Sequence, residues 1–564
     1  MNFSELINRL VQDTVGTQSL WKSCQDWFAT QQMFHNSSLL MFAPELILSA
    51  TVVLLLMVRI CSLDRFLPGS SVSLFGACIA LGATVMQFLE LRVHPENGGV
   101  TFFTGLMIYD QFTVFFRLFL GLFLLLVIYL TRLSGIPDRD DSPDFYTLLI
   151  GSTIGMMLMA SSNNMLMLFL GIEMTSVPSY VMVGFLKGRR TSSEAAFKYV
   201  VYGAGAAGVM LYGISLLCGL LGTANFPEMA ERLSAIASQG VTLANPSVRV
   251  LSLSLLMIMV GFCFKLSLFP FHFWCPDAFE GASAEVAGFL SVGSKAGAFA
   301  LLVRLCLALV GVQNMVDSQF SAVLSYFGLG LGVIAAVSAT FGNLAAYGQT
   351  NMKRMLAYST IAHAGYMLMA VSAMMVLLNG HSTKHIDFAD RIAPATSAIQ
   401  GLLYYLWVYM FMNLGAFAIV AMIRNEIFSE EIEDYSGLAY RAPVLATAMG
   451  ACLFSLVGIP PLGGFFGKFA IFSAVLQATT YHWFMWVVLA AGGINTVFSL
   501  VYYIRVLRIM FMGQPTEQSR NLKFPLFTSS GLYVTGIALV VLLMGIIVEP
   551  MSATAKQIAT MLFP

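Results

Sequence analysis

Apolar runs near the length a helix needs to cross a bilayer follow one another along almost the whole chain. They cover roughly 42–60, 71–92, 108–131, 145–161, 164–186, 195–222, 249–270, 285–312, 320–342, 355–378, 397–424, 443–476, 483–508 and 526–549. A chain built this way can only be an all-α integral membrane protein, with about 14 transmembrane helices. Composition agrees: 58% of residues are hydrophobic and 10% charged, outside the range of soluble domains. The polar connections are short apart from 223–248 and 379–396, so no extramembrane domain could hold an enzyme core. The predicted organisation is a polar segment 1–41, N-terminal helices in 42–144, a first helical repeat in 145–312, a second in 313–510, and a C-terminal connection and helix in 511–564. Segment 1–41 lacks the basic start and apolar core of a cleaved signal peptide.

Charge narrows the function classes. The formal net charge is zero, which offers no basic surface to nucleic acid. The eight cysteines are scattered, without a CxxC pair or a spacing suited to zinc, haem or an iron–sulfur cluster. The close histidine pair, His381 and His385, lies in a polar loop and reads as solvated. We therefore expect no metal and no cofactor-binding or redox centre in this chain. Connections leaving odd-numbered helices carry roughly fifteen Lys and Arg, including Arg59, Arg132, Lys187, Lys353, Arg424 and Arg505, against seven on the opposite side. That bias places both termini away from the cytoplasm.

Two spans carry prolines beside a lysine. In GFCFKLSLFPFHFWCPDAFEGASAEVAGFLS (261–291), Lys265 sits in an apolar helix and Pro270 follows five residues later. Proline lacks an N–H and clashes with the carbonyl four residues back, so the helix must break within a turn of the lysine. In SLVGIPPLGGFFGKFAIF (455–472), Pro460 and Pro461 precede Lys468 by about two turns. Break after lysine in one place and before it in the other is the order two inverted helical repeats produce.

Five charges fall inside predicted spans: Glu173, Lys198, Lys265, Lys295 and Lys468. Each central charge costs about 2.5–3.5 kcal/mol on insertion scales, so five together call for a purpose. A lysine stripped of water releases its proton far more readily than one in solution, and a neighbouring carboxylate reverses the effect. Changing the lysine–carboxylate separation thus switches between holding and releasing a proton. His363, in LAYSTIAHAGYM, adds a group that exchanges protons near neutrality. His272, in FPFHFW, suits either lining a water path or capping the broken helix. The plain alternative for any one lysine is snorkelling or structural pairing, and it fits Lys198, near a helix start, better than Lys265 or Lys468. Glu45, Asp110, Arg117 and Arg304 are expected to have a structural or interfacial role, and Glu280 and Glu285 to lie near a membrane interface. GLGLG at 328–332 has no strand before it and reads as close helix packing, not a nucleotide loop.

The segments GIEMTSVPSYVMVGF, EAAFKYVVYGA, FKLSLFPFHFWCPDAFEGA, NMKRMLAYSTIAHAGY and GIPPLGGFFGKF resemble the antiporter-like membrane subunits of respiratory complex I, NADH-quinone oxidoreductase, and most of all its subunit N family, with mitochondrial subunit 2 as the counterpart. The likeness runs from about residue 42 to 549. It implies proton translocation in a bacterial cytoplasmic (inner) membrane through Glu173, Lys198, Lys265, Lys295 and Lys468, with His363 as a further relay. It also implies other complex I membrane subunits as partners, with NADH, FMN, iron–sulfur clusters and quinone held in other subunits and no direct NADH binding here. Subunit L is longer, with a lateral helix beyond its last core helix, and subunit M has glutamate where Lys468 stands. Mrp-type cation/proton antiporter subunits share the fold and the lysines and form the alternative, with a purely structural membrane anchor as the third reading.

Overall fold

A computed structural model describes residues 37–63, 66–138, 141–237, 245–310, 319–380, 388–515, 524 and 527–563. Most of segment 1–41 and the His381/His385 pair lie outside the described residues. In chain order the first half holds α1 (Ala43–Ile60), α2 (Gly69–Val93), α3 (Gln111–Ser134), α4 (Ser142–Ser161), α5 (Met165–Val183), α6 (Arg190–Leu221), α7 (Phe226–Ala237), α8 (Pro246–Leu266), α9 (Trp274–Gly281) and α10 (Ala284–Val310). The second half holds α11 (Gln319–Ala346), α12 (Met352–Asn379), α13 (Phe388–Ile427), α14 (Pro443–Val457), α15 (Gly463–Ala478), α16 (Met485–Met512), α17 (Ser529–Ile546) and α18 (Glu549–Met561). Among the described residues, thirteen helices are long and apolar enough to cross a membrane. The fourteenth predicted span, 443–476, is divided between the shorter α14 and α15.

Helix ends fall where polar caps stand. Asp110, Asn164, Asn245, Asn351 and Thr528 each accept a hydrogen bond from a backbone N–H in the first turn of α3, α5, α8, α12 and α17. Gly135 and Gly222, both left-handed, end α3 and α6. Between α2 and α3 the chain forms a small antiparallel hairpin, β1 (Val100–Phe102) and β2 (Met107–Tyr109). Sequence patterning missed this hairpin, along with the two short polar-faced helices α7 and α18.

The core is a layer of three helices, α10, α12 and α13, buried along their apolar stretches. The 40-residue α13 packs against α10, α12, α14, α15, α17 and α18. Helices α1, α2, α6 and α16 bury one face and turn an apolar face outward, as a lipid-facing ring does. The GLGLG segment sits where α11 meets α12: a Cβ on Gly328 would lie 2.7 Å from Met375 Cβ, and one on Gly332 2.8 Å from Ser372 Oγ. Close packing, as expected, accounts for it. Glu45 and Arg117 form a fully buried pair at 2.7 Å, and Arg117 also donates to the Met41 carbonyl at 2.8 Å. Arg304 bonds Asp110 at 2.7 Å and Thr113 Oγ1 at 2.8 Å. These four charges tie α1, α3 and α10 together.

Candidate functional site

Both proline-bearing spans are interrupted in the middle of the bundle. The first stops at Leu266 and resumes at Trp274, with Pro270 inside the gap. The second stops at Val457 and resumes at Gly463, with Pro460 and Pro461 inside the gap. Each gap begins with a left-handed residue, Ser267 (φ 58°) in the first and Gly458 (φ 89°) in the second. Left-handed φ ends an α-helix and frees the carbonyls of its last turn, which then need donors from elsewhere.

Lysines supply those donors. Lys295 Nζ, from α10, donates to the Leu266 carbonyl at 2.9 Å. Lys468 Nζ donates to the Leu456 and Val457 carbonyls, both at 2.9 Å, and lies 4.5 Å from the centre of the Tyr366 ring. Lys265 Nζ donates to Ser176 Oγ at 3.0 Å, and Glu173, one turn earlier on α5, is its electrostatic partner. Lys265, Lys295 and Lys468 are each 1–3% exposed, and none has a carboxylate in direct contact among the described residues. Buried ammonium groups are normally ion-paired. Three of them held only by hydroxyl, carbonyl and ring contacts are a local cost that packing alone does not explain.

His363 stands between the two interruptions, close enough to Lys295 and Lys468 to feel both charges. Its Nδ1 pairs with Tyr405 OH at 2.5 Å and its Nε2 with Tyr503 OH at 3.3 Å. The Tyr503 hydroxyl also pairs with Ser359 Oγ. A second branch runs beside it: Tyr502 OH donates to Asn343 Oδ1 at 3.0 Å, and Asn343 Nδ2 donates to Tyr366 OH at 3.0 Å. The hydroxyls of Tyr405 and Tyr503 thus link the histidine to α13 and α16, and Tyr366 faces the Lys468 ammonium. Hydroxyl and imidazole groups both donate and accept, so this array can hand a proton along by exchanging which partner donates.

The sequence missed Tyr366, Tyr405, Tyr409, Tyr502, Tyr503 and Asn343. Tyrosine is common in apolar helices, and the one usable signal is the one-turn spacing of Tyr405 and Tyr409 on a helix otherwise apolar.

Three expected positions differ. Lys198 is 39% exposed and bonds Glu194 at 2.9 Å and Asp277 at 2.8 Å, so it lies in a surface ion network rather than among the buried lysines. Arg354 shares that network, bonding Asp277 at 2.7 Å and Glu280 at 2.6 Å. Glu173 is only partly buried, on the outward side of α5 where Leu170, Met174 and Val177 are exposed. Glu285 is 1% exposed, at the end of the bundle that carries Lys353 and Arg132. The capping role open to His272 also fails: its ring nitrogens have no hydrogen-bond partner, and the ring is enclosed by Phe269, Phe273 and Phe341. Among the described residues no three His, Cys, Asp or Glu are grouped to hold a metal.

A polytopic bundle interrupted twice beside buried lysines is the architecture of an antiporter-like membrane subunit. The family described as NADH:quinone oxidoreductase/Mrp antiporter, transmembrane, matches residues 162–386 and 388–499. NADH-quinone oxidoreductase subunit N from Anaeromyxobacter sp. (strain Fw109-5) is 40% identical over 436 residues, 75% of this chain and 79% of that protein. NADH-quinone oxidoreductase subunit N 2 from Chloroherpeton thalassium (strain ATCC 35110 / GB-78) is 34% identical over 92% of this chain and 93% of its own. A chain of the structure of respiratory complex I from Thermus thermophilus with bound aureothin superposes with a TM-score of 0.67 at 26% identity, covering 90% of this chain and 98% of that one. The chain belongs to this transmembrane family, within its NADH-quinone oxidoreductase subunit N branch.

Proposed function

We propose that this chain is a proton-translocating membrane subunit of NADH-quinone oxidoreductase, working inside a multi-subunit complex in the bacterial inner membrane with both termini outside the cytoplasm. The observation that carries the reading is the buried series Lys265, Lys295, His363 and Lys468, whose three lysines have no carboxylate in contact among the described residues. Identity of 34–40% with relatives named subunit N supports the complex I setting over the Mrp antiporter, since the family description itself spans both. Redox chemistry belongs, on this reading, to other subunits, where NADH, FMN, iron–sulfur clusters and quinone act.

Residues 145–312 and 313–510 then act as two inverted repeats. In the first, Glu173 and Lys265 form the switching pair: with the carboxylate close, Lys265 holds its proton, and when Glu173 is drawn to a neighbouring subunit, Lys265 releases it. Lys295 receives that proton on its amine nitrogen. His363 takes it on one ring nitrogen while the other gives a proton to a tyrosine-linked neighbour, and Lys468 is the last amine before exit. Lys198, in its ion network with Asp277, acts as a positioning residue for the half-helix α9. The membrane potential opposes outward movement by about 2.3 kcal/mol per charge per 100 mV, so the series must be gated, and the two interruptions are the gates.

Purification of the chain from its native membrane in mild detergent, with identification of everything that accompanies it, tests the assignment. Flavin and iron–sulfur subunits are expected. A set of small membrane proteins without redox partners would move the chain to the Mrp class. Within the complex, Lys265→Ala with normal assembly and normal proton movement would end the relay.

A further inference from the structure

The three buried lysines differ in what offsets their charge. Lys265 has Glu173 as its electrostatic partner, and Lys295 bonds a carbonyl, that of Leu266. Lys468 has the Leu456 and Val457 carbonyls and, 4.5 Å from Nζ, the centre of the Tyr366 ring. Among the described residues it is the one lysine seated over an aromatic ring. An ammonium within about 6 Å of a ring centre is drawn to the negative face of the ring, most strongly where water is excluded. Both partners are buried here.

Packing fixes how that ring is turned. Its hydroxyl accepts from Asn343 Nδ2 of α11 at 3.0 Å and lies beside Thr496 of α16. Asn343 is itself held: Nδ2 also donates to the Asn495 carbonyl at 3.1 Å, and Oδ1 accepts from Tyr502 OH at 3.0 Å. The imidazole of His363, one turn earlier on α12, meets the Tyr366 ring edge-on with centroids 5.7 Å apart, and the Phe472 ring does so at 6.2 Å. Phe472 stands one turn beyond Lys468 on α15 and packs so closely on α16 that a Cβ on Gly492 would lie 2.6 Å from its Cε1. The lysine stem is confined as well, since a Cβ on Gly458 would lie 3.1 Å from its Cδ. Groups from α11, α12, α15 and α16 thus hold ring and ammonium against each other.

Nothing else nearby offers a negative charge. The titratable groups around the pair are His363 of α12, Tyr405 and Tyr409 of α13, and Tyr502 and Tyr503 of α16, with Lys295 of α10 felt by His363. Cys452 of α14 faces Gly415 of α13, and Tyr533 of α17 bonds the Leu126 carbonyl of α3, so both are turned to other helices. Imidazole and amine gain positive charge on taking a proton, and phenols are neutral near pH 7.

We propose that the Tyr366 ring is the fixed counter-group of the Lys468 ammonium, taking in the second half the place that the Glu173 carboxylate has in the first, with Asn343 as the positioning residue that turns the ring. The inference rests on the proton-translocation reading above. A carboxylate beside a lysine competes for its proton, whereas a ring face attracts the charge and takes no proton. Lys468 therefore holds the proton that reaches it from His363. Release to water on the non-cytoplasmic side breaks one N–H bond, leaves the electron pair on nitrogen and forms hydronium, with no ion pair to separate. Tyr366 gives and takes no proton in the step.

The test uses the whole oxidoreductase in inverted membrane vesicles, carrying Lys468→Ala, Tyr366→Leu, Tyr366→Phe or Asn343→Ala. A further series places at position 366 a phenylalanine with one, two or three ring fluorines, which drain electron density from the ring face and barely change its shape. Mass spectrometry of the purified complex reports assembly, and dye quenching reports protons moved per NADH oxidised across a range of pH. Loss of the attraction lets Lys468 give up its proton at lower pH, so the alkaline limit of pumping in Tyr366→Leu should fall by about half a pH unit to one and a half. Tyr366→Phe should recover the limit, and each added fluorine should lower it again in order. Asn343→Ala should lower it by less, and an unmoved limit there ends the part given to Asn343. A limit in assembled Tyr366→Leu that coincides with wild type, or a fluorine series that coincides with Tyr366→Phe, would overturn the ring as counter-group. If Tyr366→Leu does not assemble, the fluorine series decides alone. Lost pumping in Lys468→Ala beside unmoved limits in the Tyr366 variants removes this inference alone, whereas normal pumping in Lys468→Ala removes the relay as well.

Discussion

The two interrupted helices solve one problem with different parts. At the first, the freed Leu266 carbonyl is bonded by Lys295 of α10, and the Phe269 N–H inside the gap donates to Ser338 Oγ of α11 at 3.0 Å. Trp274, from the resumed half, adds a bond from Nε1 to the Phe264 carbonyl at 3.0 Å. At the second, the freed backbone groups are met within the same two half-helices: Lys468 of α15 bonds Leu456 and Val457 of α14, and Gly464 N–H donates to Ser455 Oγ at 3.1 Å, the Ser455 hydroxyl itself donating to Met412 Sδ of α13 at 3.3 Å. The backbone of the first gap is therefore held partly by its neighbours and that of the second by its own half-helices, with one side-chain tie from Ser455 to α13. A gap whose donors sit on other helices opens or closes as those helices shift, which suits the half that carries Glu173 on its outer face. A gap that supplies its own donors keeps its shape, which suits a fixed terminal site. Even the turning residues fit: Ser267 takes a left-handed conformation that side chains adopt at a cost, while Gly458 takes one that glycine adopts freely.

The lysine substitutions probe this difference most strongly. Lys265→Ala and Lys468→Ala should each lower NADH-driven proton pumping about a hundredfold or more, the usual size of a lost proton-transfer group. They should part in stability. Lys265→Ala leaves only Ser176 Oγ without its donor, whereas Lys468→Ala strips two buried carbonyls and should cost about 1–3 kcal/mol for each. Thermal unfolding of the solubilised complex, followed by loss of this subunit, checks the split. Equal destabilisation would mean that the second gap is no more dependent on its lysine than the first. Lys265→Arg sharpens the point, because arginine keeps the charge but does not release its proton, and pumping should stay lost.

Glu173→Gln comes next and should touch one half only. Removing the carboxylate leaves Lys265 with its Ser176 bond but no switching partner, so pumping should fall severalfold while quinone reduction and assembly persist. Tyr405→Phe is its counterpart in the second half: it removes the 2.5 Å partner of His363 Nδ1 and should slow pumping without displacing Lys468. Vesicle acidification measured per NADH oxidised distinguishes them from a general loss of enzyme. If Glu173→Gln has no effect while Tyr405→Phe does, coupling does not enter through α5.

What the sequence disclosed follows from how expensive each feature is in lipid. Fourteen spans, two breaks and three central lysines were legible because long apolar runs, prolines and buried charges all depart from background. Lys198 was expected among the buried charges, but α6 has 32 residues, about 48 Å, and outruns a hydrocarbon core of about 30 Å, which leaves its early turns room for the ion network with Glu194 and Asp277. The burial of Glu285 was not legible, because only tertiary packing of α12 and α13 against α10 encloses it. The tyrosine and asparagine branches were invisible. Tyr366, Tyr405, Tyr503 and Asn343 acquire a role only from the side chains they meet across helices, and nothing in a single sequence records those meetings.

The smallest expected effects reach closest to the difference between the gaps. Ser338→Ala and Ser455→Ala each leave one backbone N–H, of Phe269 and of Gly464, without its acceptor, at about 1–3 kcal/mol. The losses should spread differently. Ser338 belongs to α11, so its removal frees the first gap from a neighbouring helix and should speed amide exchange both around 267–274 and in the facing part of α11. Ser455 belongs to the interrupted span itself and reaches outside it only to the Met412 thioether, so its removal should speed backbone exchange chiefly around 458–466. Hydrogen–deuterium exchange on the detergent-solubilised complex resolves the two patterns. Equally local responses would show that the first gap does not lean on its neighbours, and the division of labour between a movable first gate and a fixed second one would then have to rest on Glu173 alone.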